Sequence, residues 1–182
     1  MNRVYVLLAS GFEEVEALTP VDVLRRAGIE VLLVSTTGSP YVQGSHQVVV
    51  KTDCFLDDVR VEEAAMLLLP GGLPGATNLA AQEKVKQLIR HFYEADKWLA
   101  AICAAPMILG EMLLLEGRKA TCYPGFEKHL HGAQCLEEPA VCDGKIITGR
   151  GVGAAMAFSL ELVRRLIDEA RALELKKKMV VA

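Results

Sequence analysis

Residues 99–106 read Leu-Ala-Ala-Ile-Cys-Ala-Ala-Pro, an apolar run that carries one cysteine and ends at a proline. The run predicts a buried strand over residues 98–102 and a helix directly after it. Pro106 suits the first turn of a helix, where no backbone N–H is required. Small residues on both sides of Cys103 allow a nucleophile elbow, the sharp turn that lifts one side chain out of a sheet. Cysteine is also among the most buried residue types, so this segment alone leaves catalysis and simple packing open.

Strands and helices alternate along the rest of the chain. The predicted strands and hairpins cover residues 3–9, 29–35, 41–50, 65–69, 98–102 and 141–147. The predicted helices cover residues 15–26, 85–95, 104–114, 153–167 and 168–178. Pro20 predicts a kink or a late start in the first helix, and Gly28 is expected to end it. The alternation predicts one α/β domain over residues 1–182, with a mainly parallel sheet covered by helices on both faces.

The composition limits the possible functions. Of the 182 residues, 52% are hydrophobic and 24% charged, and the formal net charge is −3. These values predict a sizeable core and give no reason to expect a nucleic-acid or anionic-membrane partner. The longest uncharged stretch, residues 98–110, is shorter than the ~20 residues of a membrane span. Acidic residues directly follow the N-terminal apolar run, which is unlike a secretory signal, so we expect a cytoplasmic location.

Cysteine usage and motif spacing favour neither a metal nor a cofactor. The five cysteines include no Cys-x-x-Cys pair, which predicts free thiols, and no role is expected for Cys54, Cys122, Cys135 or Cys142. The spacing of His129 and His131 relative to the last two cysteines matches no standard zinc pattern. The glycine-rich turn at 149–153 lies too near the end of the sequence to open a dinucleotide-binding unit.

Sites in parallel sheets lie beyond the carboxyl ends of the strands. One loop there carries Glu13, Glu14 and Glu16, which are expected to stabilise the positive end of the following helix. Helical periodicity does not decide whether Glu16 points inward. A second loop carries Gly71 and Gly72, whose backbone N–H groups either form an oxyanion hole or belong to an ordinary turn.

These motifs together resemble the ThiJ/PfpI superfamily, in the branch of the parkinsonism-associated deglycase and its bacterial YajL-type relatives. The resemblance is carried by Gly-Phe-Glu-Glu-Val-Glu at 11–16, Pro-Val-Asp-Val-Leu-Arg-Arg-Ala-Gly at 20–28, Leu-Pro-Gly-Gly at 69–72, Ala-Ala-Ile-Cys-Ala-Ala-Pro at 100–106 and Thr-Gly-Arg-Gly at 148–151. It extends to about residue 166.

The resemblance implies a flavodoxin-like three-layer sandwich and a homodimer to which the first helix and the 41–50 hairpin contribute. It implies that Cys103 is the reactive cysteine and that Glu16 is the acid beside its sulfur. It also implies that the backbone at Gly71, Gly72 and Ala104 supplies oxyanion donors. The implied activity is conversion of small 2-oxoaldehydes such as methylglyoxal to hydroxy acids without a cofactor, or repair of early glycation adducts. Oxidation sensing and chaperone activity are the non-enzymatic alternatives.

Two positions depart from patterns of the superfamily. Tyr123 stands where this branch often has a histidine, so no Cys–His pair is expected from that position. Ala104 stands where the protease-like branch has a histidine, which argues against peptidase chemistry.

For the mechanism we expect a Cys103 thiolate, stabilised by the start of the following helix and by a protonated Glu16. The thiol pKa should then be low and the Glu16 pKa high. A binding module with an unreactive Cys103 is the remaining alternative.

Overall fold

A computed structural model describes residues 3–182 as an α/β fold. The strands are β1 (Arg3–Leu8), β2 (Glu30–Ser35), β3 (Tyr41–Gln43), β4 (Val49–Lys51), β5 (Cys54–Phe55), β6 (Ala64–Leu69), β7 (Trp98–Ile102), β8 (Lys119–Ala120), β9 (Gln134–Cys135), β10 (Ala140–Asp143) and β11 (Ile146–Gly149). The helices are α1 (Glu14–Arg26), α2 (Gly75–Ala80), α3 (Glu83–Glu94), α4 (Pro106–Glu111), α5 (Ala155–Leu166) and α6 (Glu169–Lys178).

Seven strands form the central sheet in the order β10-β11-β7-β6-β1-β2-β5. All neighbours in it are parallel except β10 and β11, which form the predicted antiparallel hairpin. Gly144, in the turn of that hairpin, has φ 59°, a conformation that glycine adopts without strain. The predicted mainly parallel sheet is therefore confirmed.

Helices cover both faces of the sheet, and the alternation of side chains along β1 shows how. Val4, Val6 and Leu8 pack with α1, α5 and α6 on one face. Tyr5 and Leu7 point to the opposite face and pack with α2, α3 and α4. This two-residue period arises because successive side chains of a strand point to opposite sides. The predicted three-layer sandwich is confirmed.

The structure corrects the predicted helices at two points. Helix α1 begins at Glu14, so the predicted late start at Pro20 is wrong, although Pro20 lies inside the helix and donates no hydrogen bond there. Gly28 follows its end as predicted, with φ 85°. Helix α4 is shorter than the predicted 104–114, because Leu113 takes φ 61° and the chain turns away. The short elements α2, β5, β8 and β9 were not predicted, since they are too short to show a period.

The strand order brings the three predicted loops together. β6 lies between β1 and β7, so the loops that follow these three strands leave the same edge of the sheet side by side. Within residues 3–182, no helix combines the length and the apolar character needed to cross a membrane.

Candidate active site

Cys103 occupies a strained turn directly after β7. Its φ is 67°, a region that residues with a side chain rarely adopt, at a typical cost of about 1–3 kcal/mol. Two backbone hydrogen bonds hold the turn: the Cys103 N–H donates to Gly149 O at 2.9 Å, and the Cys103 carbonyl accepts from the Tyr123 N–H at 2.8 Å. The side chain is 9% exposed and faces a pocket. This is the elbow geometry that the small residues around Cys103 predict.

Glu16 is fully buried beside Cys103. Its Oε2 accepts the Gly71 N–H at 3.0 Å. Its Oε1 has no hydrogen-bond partner among the described residues, and the Cys103 thiol lies beside the carboxyl and lowers its pKa. A Cβ at position 71 would lie 2.5 Å from Glu16 Oε2 and 2.7 Å from the Cys103 Cβ, so the two acids meet across a glycine that no larger residue can replace.

The two acids perturb each other. Burial raises the pKa of Glu16 to about 7, although hydrogen bonds from the Cys103 thiol and the Gly71 N–H oppose that shift. Burial, the negative charge of Glu16 and the hydrogen bond between them raise the pKa of Cys103 to about 12. The expected high pKa of Glu16 is met, but the expected low pKa of Cys103 is wrong. The reason is that a second negative charge in one dry pocket is unfavourable.

Gly71 and Gly72, in the glycine loop that follows β6, have different roles. Gly71 donates its N–H to Glu16, so that group positions the acid instead of facing a substrate oxygen, which differs from its predicted role as an oxyanion donor. The N–H groups of Gly72 and Ala104 hydrogen-bond with the Cys103 sulfur and lower its pKa. Gly72 has φ 87°, and a Cβ there would collide with the backbone of residues 11–13, so the loop also needs glycine for packing.

The pocket above Cys103 has a volume of about 300 Å³, at the small end for ligand sites. Leu73, Tyr123, Phe126 and Val152 supply apolar side chains to its wall. Tyr123 is half exposed. The pocket has room for a small compound placed against the sulfur. The Tyr123 and Phe126 rings meet edge to face, a contact that the sequence did not reveal because a three-residue spacing has no fixed geometry in a loop.

A neighbouring cluster ties the start of α1 to the β3–β4 hairpin. Glu14 Oε1 accepts the His46 N–H at 2.7 Å, and His46 Nδ1 lies 3.0 Å from Glu14 Oε2 and 3.3 Å from Glu13 Oε2. Its hydrogen bond with Glu14 raises the pKa of His46. Burial opposes ionisation of Glu14, but hydrogen bonds from His46 and from backbone N–H groups leave its pKa lowered. These two glutamates therefore anchor the hairpin. Glu13 also lies in the wall of the pocket that Glu16 faces.

In the described part of the chain, Glu13, Glu14 and His46 are the one group of three or more potential metal ligands with ligand atoms within 4.8 Å of one another. The histidines and cysteines considered from the sequence do not form such a group. All five cysteines are free thiols, as predicted.

The raised pKa of Glu16 predicts a pH-dependent stability. The folded chain binds this proton more tightly than the unfolded chain, so the stabilisation is complete below about pH 4.5 and is lost as the pH rises through about 7. Between about pH 4.5 and pH 8 the wild type should lose about 3 kcal/mol of unfolding free energy relative to Glu16→Gln. Urea unfolding of both proteins at each pH measures this difference.

Glu62→Gln is the control, because it removes one carboxylate from an exposed position. A difference between wild type and Glu16→Gln that stays constant across this pH range would show that Glu16 titrates normally.

Comparison with known proteins identifies a family. The family model described as DJ-1/PfpI matches residues 2–165. The Arabidopsis thaliana protein DJ-1 homolog B is 36% identical over 99% of this chain, which spans only 42% of the length of that relative. The Danio rerio Parkinson disease protein 7 homolog is 34% identical over 99% of this chain and 97% of its own.

A solved structure of Toxoplasma gondii DJ-1, described as oxidized, superposes with a TM-score of 0.95 at 32% identity and covers all of both chains. The resemblance inferred from the motifs is thereby confirmed: the chain belongs to the DJ-1/PfpI family.

Proposed function

We propose that the chain is an enzyme that converts 2-oxoaldehydes such as methylglyoxal to 2-hydroxy acids, or removes early glycation adducts, without a cofactor. Cys103 is the nucleophile and Glu16 carries the proton. One observation supports this above the others: a strained cysteine and a fully buried carboxyl meet in a pocket of about 300 Å³. Strained residues concentrate at functional sites, and a carboxyl with a pKa of about 7 is matched to proton transfer near neutral pH.

Activation of the sulfur follows from the coupled pair. Above about pH 7 the pair holds one negative charge, which lies mainly on Glu16. When Glu16 takes the thiol proton, the N–H groups of Gly72 and Ala104 stabilise the resulting thiolate. Glu16 therefore acts as the general base, and attack on the substrate draws the pair toward the thiolate form.

The chemical steps balance without an external oxidant. The thiolate adds to the aldehyde carbon, and Glu16 returns the thiol proton to the new alkoxide. The product is a hemithioacetal, whose oxygen accepts hydrogen bonds from the Gly72 and Ala104 N–H groups. The Glu16 carboxylate removes the hydrogen of that carbon and returns a proton to the adjacent carbonyl carbon, while the hydroxyl proton of the hemithioacetal passes to the oxygen of that carbonyl. The product is a thioester of the 2-hydroxy acid. Water then cleaves the thioester, releasing the acid and restoring the thiol. The aldehyde carbon is oxidised and its neighbour is reduced.

Cys103→Ser should abolish this activity. Serine lacks an acidic thiol, so lactate formation from methylglyoxal should fall at least about 100-fold. Proton NMR of the reaction measures lactate directly. Cys135→Ser, which changes an exposed cysteine, should keep wild-type turnover. Wild-type turnover by Cys103→Ser would contradict the mechanism.

A second candidate function is non-enzymatic, an oxidation sensor or chaperone that uses the same sulfur. It is favoured by the neighbours of Cys103, because a carboxyl and two N–H groups can hydrogen-bond with the oxygens of a sulfinate. The related Toxoplasma gondii structure is described as oxidized. In this reaction the thiolate takes one oxygen atom from each of two peroxide molecules, which leave as water.

Glu16→Gln separates the two functions. Glutamine cannot transfer a proton, so methylglyoxal turnover should fall by about 100-fold or more. It can still donate a hydrogen bond, so mass spectrometry should find Cys103 sulfinate after peroxide treatment at a yield close to that of the wild type. Unchanged turnover would remove Glu16 from the enzymatic mechanism. If Glu16→Gln keeps methylglyoxal turnover but no longer forms Cys103 sulfinate, the result would favour a sensor in which oxidation of Cys103 depends on the ionised carboxylate of Glu16.

We also propose that the chain forms a homodimer through α1 and the β3–β4 hairpin. Four exposed apolar side chains lie on or beside these elements: Val15, Tyr41, Val48 and Val49. Light scattering at micromolar concentration should give twice the chain mass of 19.8 kDa. Val49→Lys should shift the mass toward the monomer, whereas Val180→Lys, at a position that is 89% exposed, should not. A monomeric wild type would refute the proposal.

A further inference from the structure

A second, larger cavity adjoins the pocket above Cys103. Its volume is about 610 Å³, and its wall is formed mainly by residues around the start of α5 and by Pro139. Tyr123 and Val152 belong to the walls of both cavities. Both side chains are largely exposed, at 50% and 42%. Because these two side chains line both spaces, the two cavities adjoin along them.

The charged residues in the walls of the two cavities differ in sign. Glu13 and Glu16 are the charged residues in the wall of the Cys103 pocket, so an anionic group is repelled there. In the wall of the larger cavity, the single charged residue among those described is Arg150. A ligand with a neutral reactive end and an anionic far end therefore fits the pair of cavities in one orientation only.

Arg150 is held in place and weakly paired. Its N–H donates to Pro139 O at 3.0 Å, which fixes the backbone just after β11. Its guanidinium lies 3.5 Å from the carboxylate of Glu137, whose side chain is 92% exposed. Exposed ion pairs of this kind contribute little, so an incoming carboxylate can displace Glu137 at little cost. The planar guanidinium offers paired N–H groups that match the two oxygens of a carboxylate.

We propose that the larger cavity is a subsite for a carboxylate carried by the substrate, with Arg150 as the residue that binds it. The substrate class is then a 2-oxoaldehyde with a carboxylate at the far end of its carbon chain. The aldehyde lies against Cys103, and the methylene groups cover Tyr123 and Val152. This inference rests on the proposed function and adds a specificity-determining residue to it.

Turnover of matched substrates tests the subsite. Wild type should have a lower KM for 4,5-dioxopentanoate than for 2-oxohexanal, a neutral 2-oxoaldehyde of similar length. Arg150→Gln should raise the KM for 4,5-dioxopentanoate about 10-fold or more, the usual effect of losing a charge-assisted hydrogen bond. It should leave kcat/KM for methylglyoxal unchanged, because that substrate does not reach the larger cavity.

Two further variants serve as controls. Arg150→Lys keeps the positive charge but lacks the paired N–H groups of the guanidinium. Its KM for 4,5-dioxopentanoate should therefore fall between those of wild type and Arg150→Gln. Lys128→Gln removes a positive charge from an exposed position and should behave as wild type. Equal KM values of wild type for the acidic and the neutral substrate, a comparison that needs no variant, would overturn the subsite. So would an equal effect of Arg150→Gln on methylglyoxal.

A binding measurement separates failure of the subsite from failure of the proposed function. The keto acid 4-oxopentanoate has no aldehyde, and 4-oxopentanamide is its neutral counterpart. The acid should protect Cys103 from alkylation by iodoacetamide at a concentration about 10-fold lower than the amide requires, and Arg150→Gln should remove this difference. If methylglyoxal is not turned over but this difference is found, the subsite stands and the proposed activity fails. Equal protection by both compounds in the wild type would overturn the subsite.

Discussion

The site depends on the burial of two acids in a space that holds one negative charge. Cys103 and Glu16 meet across Gly71, where a side chain would collide with both. Removal from water raises the pKa of each, and the charge of one opposes ionisation of the other. The pair therefore exchanges a proton internally more easily than it releases a second one. The proposed nucleophile and the proposed proton carrier both depend on this single constraint.

The strand order places these groups, which come from distant parts of the chain. β6 lies between β1 and β7, so the glycine loop after β6 is set between the acid on α1 and the cysteine after β7. The strained φ of Cys103 is offset by backbone hydrogen bonds to Gly149 and from Tyr123, which belong to two further segments. The elbow is thus maintained by the surrounding structure, as strained active-site residues generally are.

Sequence patterns predicted the long elements and failed where tertiary contacts decided the boundaries. Apolar runs identified β1, β2, β6 and β7, because strands buried on both faces are apolar throughout. A late start of α1 at Pro20 was one of two predicted effects of the proline and is wrong. The helix begins at Glu14, whose carboxylate accepts the N–H groups of His46 and Val48, more than thirty residues away in the chain. The end of α4 was misplaced because the positive φ of Leu113 leaves no trace in a run of leucines.

By itself, the sequence determined the α/β class, the elbow at Cys103 and the resemblance that the family comparison confirms. These features are local, since they depend on periodicity, on small residues and on short motifs. Only the tertiary structure decided that Glu16 faces the sulfur while Glu13 and Glu14 hold the hairpin. It also decided that the Gly71 N–H donates a hydrogen bond to Glu16. The raised pKa of the thiol and the position of Arg150 in a cavity beside the site were also decided there. Burial and charge interactions act between residues such as Glu16 and Gly71, which are 55 positions apart, and no local pattern encodes them.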